Sequence, residues 1–448
     1  MSLIRELPRV PDLLALHAAD PARYPVLLES VASGGGGARF DLLFATTGET
    51  LSADAEGRLT GPHAERGRFL DALAQWHRDV AAPTHADELP FHGGFALLLG
   101  YELAAEIEPR LRLPKPRLPV PRAIAWRAPV AIVRDLDSGR ACVVGEVGAE
   151  ALFDQAASDA MRAIAPVAAR RGITHIDEDD ASRYHAAVHA ALDYIEAGDV
   201  FQVNLSRAWR AARPADLSAA EIYASLRASN PAPFAGLVQW QGWAMASSSP
   251  ERLVSARDGL LQTRPIAGTR PRFPGDDDAA RVRELVGHPK ERAEHIMLID
   301  LERNDLGRVA VPGSIVVDEL MTVESYAHVH HIVSNVRARL RPEFGPVDAI
   351  RAVFPGGTIT GCPKVRCMEI IAELEGEGRG FYTGALGYLG IGGRMDLNIL
   401  IRSLTLADGR IEFRAGAGIV ADSDAQRELD ETRAKARGLV RALLPEAS

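Results

Sequence analysis

The chain has 448 residues, of which 47% are hydrophobic and 25% charged, with a formal net charge of −9. Its Lys and Arg residues are scattered instead of forming one basic stretch, which argues against a nucleic-acid partner. No run approaches the roughly 18 apolar residues that cross a bilayer. The N-terminus also lacks the uninterrupted apolar stretch of a signal peptide. The three cysteines have no CxxC spacing. We therefore expect a cytoplasmic protein that binds neither nucleic acid nor membranes.

The first half of the chain contains one marked change of composition, which predicts a domain boundary. Residues 151–168 are rich in alanine and predict a helix. Arg170–Asp180 then interrupts this pattern with Gly172 and a cluster of acidic residues. We expect an N-terminal region over residues 1–170 and a second domain over residues 171–448.

The elements after this boundary have clearer patterns. Asp180–Ser182 offers N-caps for a helix, and the residues that follow have apolar positions at helical spacing as far as Ile195. Phe201–Ser206 then alternates apolar and polar residues, which predicts a half-buried strand with Gln202 and Asn204 on one face. Further strands are predicted at 240–247, 254–262 and 411–414, and long helices at 279–306 and 422–443. Strands and helices do not alternate regularly, so the predicted fold class is α+β.

Two pairs of glutamates occur at a spacing that places both members on one helix face. They are Glu291 with Glu294, and Glu428 with Glu431. Four carboxylates from two facing helices would suit a hard, six-coordinate cation such as Mg²⁺. The alternative is that both pairs are solvated helix faces, which is a common fate of glutamate pairs.

Two glycine-containing segments are candidates for binding a carboxylate. In Phe354–Glu369, glycines free the backbone to approach a ligand, and Thr358 and Lys364 supply hydrogen-bond donors. In Arg414–Gly418, Gly416 and Gly418 leave backbone amides uncovered at the end of a predicted strand. Such a GxG sequence more often marks a tight turn.

In combination, seven ordered segments resemble the chorismate-utilising family, which includes anthranilate, aminodeoxychorismate, isochorismate and salicylate synthases. The segments are Phe201–Ser206, Ser248–Leu253, Thr263–Arg272, Lys290–Arg308, His330–Ser334, Gly356–Ile370 and Arg414–Lys435. The resemblance is greatest to component I of aminodeoxychorismate synthase. It implies a large β-sandwich core with helices packed outside, and it implies that residues 171–448 form the chorismate-binding catalytic domain.

The resemblance also implies roles for individual residues. The metal positions, for Mg²⁺, are Glu291, Glu294, Glu428 and Glu431, with Glu294 and Glu431 as the direct ligands. The substrate-binding positions are Gly268, Thr269, Thr358, Tyr382, Arg402, Gly416, Gly418 and Lys435. The catalytic positions are Glu251, His331, Gln202 and Ala267. Glu251 corresponds to the general acid that protonates the departing C4 hydroxyl, which requires a raised pKa.

Three positions distinguish the branches of the family. Gln202 stands where the isochorismate and salicylate synthases have a lysine that activates water, which favours the branches that use ammonia. Asn204 and the segment Asn230–Phe234 resemble aminodeoxychorismate synthase. Ala267 resembles anthranilate synthase instead, because the well-known aminodeoxychorismate synthases have lysine there. We expect amination of chorismate at C4, with anthranilate formation as the alternative.

Further implications concern an inhibitor pocket and partners. The N-terminal region resembles that of anthranilate synthase component I. The resemblance implies a tryptophan pocket at Leu28, Glu29, Ser30, Asn230, Pro231 and Phe234, and the alternative is a buried strand that ends at Ser30. No segment resembles a Cys–His–Glu glutaminase, so the resemblance implies that a separate glutamine amidotransferase subunit supplies ammonia. A non-catalytic subunit that binds chorismate or tryptophan is the competing class. The presence of Glu251 and all four glutamates disfavours it.

Overall fold

The computed structural model of the chain describes residues 2–32, 39–83, 87–271, 283, 289–325 and 329–445. Its strands are β1 (Ser2–Glu6), β2 (Val26–Glu29), β3 (Phe40–Ala45), β4 (Thr50–Ala53), β5 (Leu59–Thr60), β6 (Gly94–Leu99), β7 (Ala123–Ala128), β8 (Val130–Asp135), β9 (Arg140–Glu146), β10 (Asp177–Glu178), β11 (Gln202–Ala212), β12 (Phe234–Trp240), β13 (Trp243–Ser249), β14 (Arg252–Arg257), β15 (Leu260–Thr263), β16 (Ile266–Pro271), β17 (Val316–Ser325), β18 (Val329–Arg339), β19 (Gly361–Cys362), β20 (Ala385–Gly390), β21 (Met395–Asn398), β22 (Ser403–Ala407) and β23 (Arg410–Ile419). Its α-helices are α1 (Leu13–Ala19), α2 (Phe69–Val80), α3 (Ala104–Ile107), α4 (Glu150–Ala160), α5 (Ala181–Glu196), α6 (Ala219–Ser229), α7 (Pro289–Gly307), α8 (Pro346–Val353), α9 (Lys364–Glu375) and α10 (Ala425–Leu443).

The strands form two large antiparallel sheets. The first has the order β1-β9-β8-β3-β2-β12-β13-β22-β23-β11-β10, with β19 beside β11. The second has the order β16-β18-β15-β14-β21-β20-β6-β7-β4-β5, with β17 against β18. Each sheet contains strands from both sides of residue 170, and the functional division into residues 1–170 and 171–448 stays a prediction.

An apolar core lies between the two sheets and fixes them face to face. It combines Phe44 and Met245 from the first sheet with Trp126 and Leu386 from the second, and all four are buried. Helices α1, α4, α6 and α10 cover the outer face of the first sheet, and α2, α7 and α8 pack on the second. The predicted α+β class, with a β-sandwich core and external helices, is confirmed. No helix among the described residues has the length and apolar composition to cross a membrane.

The elements near the predicted site largely follow the sequence pattern. Helix α5 begins after Asp180, whose side chain accepts a hydrogen bond from the Ser182 amide as predicted. Strand β11 is longer than expected because it pairs with β23 from Val203 as far as Ala212. The single strand predicted at 254–262 was wrong. Asp258 and Gly259, with φ of 52° and 75°, turn the chain there into a hairpin. The predicted helix at 279–306 is described from Pro289 onward, and residues 279–282 and 284–288 of it lie outside the described residues.

Candidate active site

A cavity of about 680 Å³ lies beside the first sheet, between the strand pair β11–β23 and the helices α7 and α10. Its polar and glycine lining residues include most of those singled out in the sequence. They are Gln202, Asn204, Asn230, Glu251, Gly268, Glu294, His331, Thr358, Tyr382, Arg402, Arg414, Gly416, Gly418, Glu428, Glu431, Lys435, Arg437 and Gly438. The structure thus brings together residues that are more than 200 positions apart in the chain.

Three of the four predicted metal-binding glutamates line this cavity. Glu294 projects from α7 and accepts a hydrogen bond from Gln202 Nε2 at 3.0 Å. Glu428 and Glu431 project from α10, and Ser423 Oγ donates to Glu428 at 2.7 Å. Lys435 Nζ lies 2.6 Å from Glu431 Oε1. The side chain of Glu291, one turn before Glu294 on α7, lies outside the described part of the chain.

The donor chemistry of these glutamates suits a hard cation. Carboxylate oxygens are the protein ligands that Mg²⁺ prefers, usually one or two of them together with substrate and water. Among the described side chains, no three His, Cys, Asp or Glu residues already form a metal-binding cluster. Glu294, Glu428 and Glu431 could therefore supply single carboxylate ligands to such a cation.

Glu251 lies at the junction of β13 and β14, where its backbone is held by the neighbouring sheet. Its carbonyl accepts a hydrogen bond from the Ile399 amide at 3.0 Å. The side chain is 6% exposed. Burial raises the pKa of this carboxyl to about 7, although Thr358 and the cations Arg402 and Lys435 act in the opposite direction. Glu251 can therefore hold a proton near neutral pH, which is the property expected of a general acid.

Four described cations line the cavity, and two of them, Arg402 and Lys435, come from different elements. The Arg402 guanidinium makes no hydrogen bond or ion pair with any residue that the structure describes, and Arg402 adopts a positive φ of 54°. A non-glycine residue in this conformation is strained, and such strain is concentrated at binding sites. Lys435 Nζ donates to the carbonyl of Gly416 at 3.0 Å. Tyr382 lines the same wall, and burial raises the pKa of its hydroxyl, so it stays protonated and able to donate.

The two glycines of β23 are required by close approach. A Cβ on Gly418 would lie 2.2 Å from Gln202 Nε2, and one on Gly416 would lie 2.6 Å from the Leu205 carbonyl oxygen. Both glycines face the cavity on the same side of the strand as Arg414. The bare backbone predicted from Arg414–Gly418 thus forms part of the cavity wall.

The opposite wall contains an irregular strand pairing. The register of β16 against β18 shifts between Ala267 and Thr269, which leaves Gly268 as a bulge with a positive φ of 71°. His331 lies against the Gly268 backbone, and burial together with Arg402 lowers the pKa of its imidazole to about 4. It is therefore neutral at pH 7. The side chains of Ala267 and Thr269 lie outside the described part of the chain.

The residues predicted to form a tryptophan pocket are divided between two cavities. Leu28, Glu29, Ser30 and Phe234 line a small cavity of about 80 Å³ between the two sheets. Asn230 instead lines the large cavity, and its Nδ2 donates to Ser248 Oγ at 2.7 Å. Pro231 is half-buried between them. Sequence reasoning missed the role of Asn230 as a cavity residue, since no local pattern distinguishes it from Phe234.

Arg414 and Asn204 are further cavity residues that the sequence did not assign to the site. Arg414 lies two residues before Gly416, and Asn204 lies two residues after Gln202, so each shares a strand face with a residue that was assigned to the site. Strand alternation was therefore the signal that could have found them.

The cavity lies beneath helices that cover a large antiparallel sandwich, and its lining combines carboxylates, cations and bare glycine backbone. Comparison with known proteins identifies the family. The profile of the family described as chorismate binding enzyme matches residues 29–441. The chain therefore belongs to the chorismate-binding enzymes.

Individual relatives agree with this assignment. The chain is 42% identical to an anthranilate synthase component I-like protein of Synechocystis, covering 87% of this chain and 81% of that protein. It is 37% identical to aminodeoxychorismate synthase component 1 of Bacillus subtilis, covering 95% and 93%. The crystal structure of anthranilate synthase component I from Streptococcus pneumoniae matches with a TM-score of 0.80 at 32% identity, covering 91% and 93%. The predicted family membership is confirmed, and the relatives are divided between the two aminating activities.

Proposed function

We propose that this enzyme is component I of aminodeoxychorismate synthase and converts chorismate and ammonia to 4-amino-4-deoxychorismate. One observation carries the choice of ammonia over water. Gln202 occupies the strand position of the family's water-activating lysine. Its side-chain Nε2 donates a hydrogen bond to Glu294 Oε1 at 3.0 Å. An amide cannot remove a proton from water, whereas unprotonated ammonia needs no base to act as a nucleophile.

Substrate binding follows from the charges in the cavity. Chorismate carries two carboxylates, and the planar guanidinium of Arg402 can grip one of them with two hydrogen bonds. We assign the enolpyruvyl carboxylate to Arg402 and Tyr382. We assign the ring carboxylate to Lys435, Thr358 and the backbone of Gly416 and Gly418.

The glutamates of α7 and α10 are the proposed magnesium ligands. Glu294 and Glu431 would hold the ion directly, with Glu291 and Glu428 around them. When bound, Mg²⁺ supplies positive charge that offsets the ring carboxylate of the substrate. Lys435 supports this arrangement because it contacts both Glu431 and the Gly416 carbonyl.

Glu251 is the proposed general acid for loss of the C4 hydroxyl. Its raised pKa allows it to donate a proton to the departing oxygen, which leaves as water. Neutral His331 packs beside the ring position without adding a positive charge. Ammonia then attacks C2 as the double bonds shift. The group formed at C2 is an ammonium. A second ammonia then adds at C4, the double bonds shift back, and the C2 group leaves as ammonia, which gives the 4-amino product.

Anthranilate synthase component I is the second candidate, and Ala267 favours it. A lysine at this position would attack C2 first and direct ammonia to C4, and alanine cannot do so. The proposed C4 amination therefore depends on ammonia itself acting as the first nucleophile. The similarity to the Bacillus subtilis enzyme over nearly the full length, together with Asn204 and the segment Asn230–Phe234, supports the 4-amino product.

Product identification tests the choice between the two. Purified protein is incubated with chorismate, Mg²⁺ and an ammonium salt at pH 8, and products are separated by retention time and mass. 4-Amino-4-deoxychorismate is expected. Anthranilate as the sole product would reject the proposal and establish the second candidate. Titration calorimetry that detects chorismate binding, without any Mg²⁺-dependent turnover, would favour the non-catalytic alternative instead.

Two further proposals concern partners. The ammonia would come in the cell from a separate glutamine amidotransferase subunit, as the component I names of the relatives suggest. Addition of such a subunit should replace the need for ammonium with a need for glutamine. Tryptophan is the proposed ligand of the inter-sheet cavity at Leu28 and Phe234, which a thermal-shift titration with L-tryptophan would test.

A further inference from the structure

Asn204 has a buried side-chain oxygen without a hydrogen-bond donor. The residue is 9% exposed, and its Oδ1 has no partner among the residues that the structure describes. Its backbone is held firmly, since the amide donates to the Thr360 carbonyl at 2.9 Å and the carbonyl accepts from Arg379 Nη2 at 2.7 Å. The side chain is thus fixed in position by its strand, and its carbonyl oxygen is left unpaired.

The Asn204 side chain lines the substrate cavity, and its buried oxygen lies in the cavity wall. A Cβ built on Gly416 would lie 2.8 Å from Asn204 Oδ1 and 3.0 Å from the Tyr382 hydroxyl oxygen, so both oxygens flank the same bare backbone atom. Asn204, Tyr382 and Gly416 all line the large cavity. Asn204 therefore lies near Tyr382 and Gly416, which the proposed function assigns to different carboxylates of chorismate.

The chemistry of an unpaired acceptor restricts what can lie against it. Buried polar atoms in native proteins are nearly always hydrogen-bonded, so this oxygen indicates a donor that arrives with a ligand. A carboxylate cannot satisfy it, because both groups are acceptors. Chorismate with both carboxylates ionised has one donor, its C4 hydroxyl, and ammonia brings N–H donors.

We propose that Asn204 is a substrate-contacting specificity residue whose Oδ1 accepts a hydrogen bond from the C4 hydroxyl of chorismate or from the incoming ammonia. The same oxygen repels a misplaced carboxylate and so favours the orientation in which Arg402 and Lys435 hold the acid groups. The inference deepens the proposed function. A hydrogen bond from the C4 hydroxyl requires only that chorismate binds. A hydrogen bond from ammonia requires the proposed amination.

The test replaces Asn204 with leucine, which has a similar volume and no acceptor. Chorismate affinity is measured by calorimetry with Mg²⁺ and without ammonium, and KM for ammonium and kcat are measured separately. Loss of one hydrogen bond should weaken the affected ligand by about tenfold. A tenfold higher Kd for chorismate identifies the hydroxyl as the donor. An unchanged Kd with a tenfold higher KM for ammonium identifies ammonia.

Two variants keep the experiment decisive. Asn204→Ala also removes the acceptor oxygen and gives the same comparison if leucine disturbs folding. Ser206→Ala, two residues along the same strand face, removes a hydroxyl that donates to Glu375 at 2.8 Å outside the cavity, and should leave both constants within twofold. Constants within twofold of wild type for both Asn204 variants would overturn the inference. If wild type makes only anthranilate, the proposed regiochemistry fails, while these constants still decide the role of Asn204.

Discussion

Replacing Glu251 with glutamine should lower activity and raise stability, because one cause, burial, underlies both properties. Burial raises the pKa of this carboxyl from 4.5 to about 7. At pH 7 about half of the molecules then hold the proton, compared with roughly 0.3% for a glutamate of ordinary pKa. The buried environment therefore increases the acid form of Glu251 by a factor of roughly 150.

The raised pKa of Glu251 also lowers the free energy of unfolding. Because the folded pKa lies above the unfolded one, the folded state binds the proton more tightly, and stability falls as pH rises from about 4.5 to about 7. Glutamine does not titrate, so the variant does not lose stability in this way as the pH rises. The stability of Glu251→Gln relative to wild type should thus increase by roughly 2–3 kcal/mol between pH 5 and pH 8.

Urea unfolding at pH 5 and pH 8 measures this difference, and initial rates with ammonium measure activity. Activity should fall by about 10²- to 10⁴-fold, and the wild-type rate attributable to the acid should decline above pH 7. Glu102→Gln is the matched control, since burial also raises the pKa of Glu102 to about 7 and its carboxyl accepts from the Arg379 amide at 2.7 Å. It should change stability while keeping the pH–rate profile. Equal stability differences at the two pH values for Glu251→Gln would refute the reasoning.

Three further substitutions test other walls of the cavity. Arg402→Lys should raise KM for chorismate by about tenfold or more in steady-state assays, because an ammonium cannot form the paired hydrogen bonds of a guanidinium; an unchanged KM would remove Arg402 from the binding site. Gly418→Ala should abolish turnover in a folded protein, as judged by circular dichroism, since its Cβ would lie 2.2 Å from Gln202 Nε2. Gly307→Ala, whose Cβ meets only Ile315 at 3.7 Å, is its control and should retain activity. Glu431→Gln should raise the Mg²⁺ concentration for half-maximal rate by about tenfold, and a normal magnesium dependence would exclude Glu431 as a ligand.

The part of the site that follows regular periodicity could be predicted from the residues alone. Strand alternation predicted that Gln202 and Asn204 share a face, and both line the cavity. Helical spacing predicted that Glu428 and Glu431 project together from one helix, as they do from α10. These predictions depend only on the geometry of a single element, which neighbouring sequence determines.

The remaining positions depend on contacts between distant parts of the chain. Arg402 follows β21 in an irregular segment with a positive φ, and no local pattern indicates that its guanidinium faces Glu251 and Tyr382. Only the family resemblance pointed to it. The position of Asn230 could not be predicted for the same reason. Asn230 lines the large cavity, whereas Phe234, four residues later, lines the small cavity between the sheets. The missed hairpin at Asp258 was different, since its Asp-Gly sequence is a recognisable turn signal.

Charge balance in the cavity predicts that chorismate and magnesium assist each other's binding. When all are ionised, the described side chains that line the cavity carry no net charge, because four carboxylates (Glu251, Glu294, Glu428 and Glu431) are matched by four cations (Arg402, Arg414, Lys435 and Arg437). A dianionic substrate would add two negative charges close to the glutamates of α7 and α10, and a bound divalent cation would offset them. Calorimetric titration of chorismate should therefore give a Kd at least about tenfold lower with Mg²⁺ than with a chelator. Linkage requires that chorismate tighten Mg²⁺ by the same factor, which a reverse titration checks. Equal chorismate affinity in the two buffers would show that the glutamates do not bind an ion in contact with the substrate.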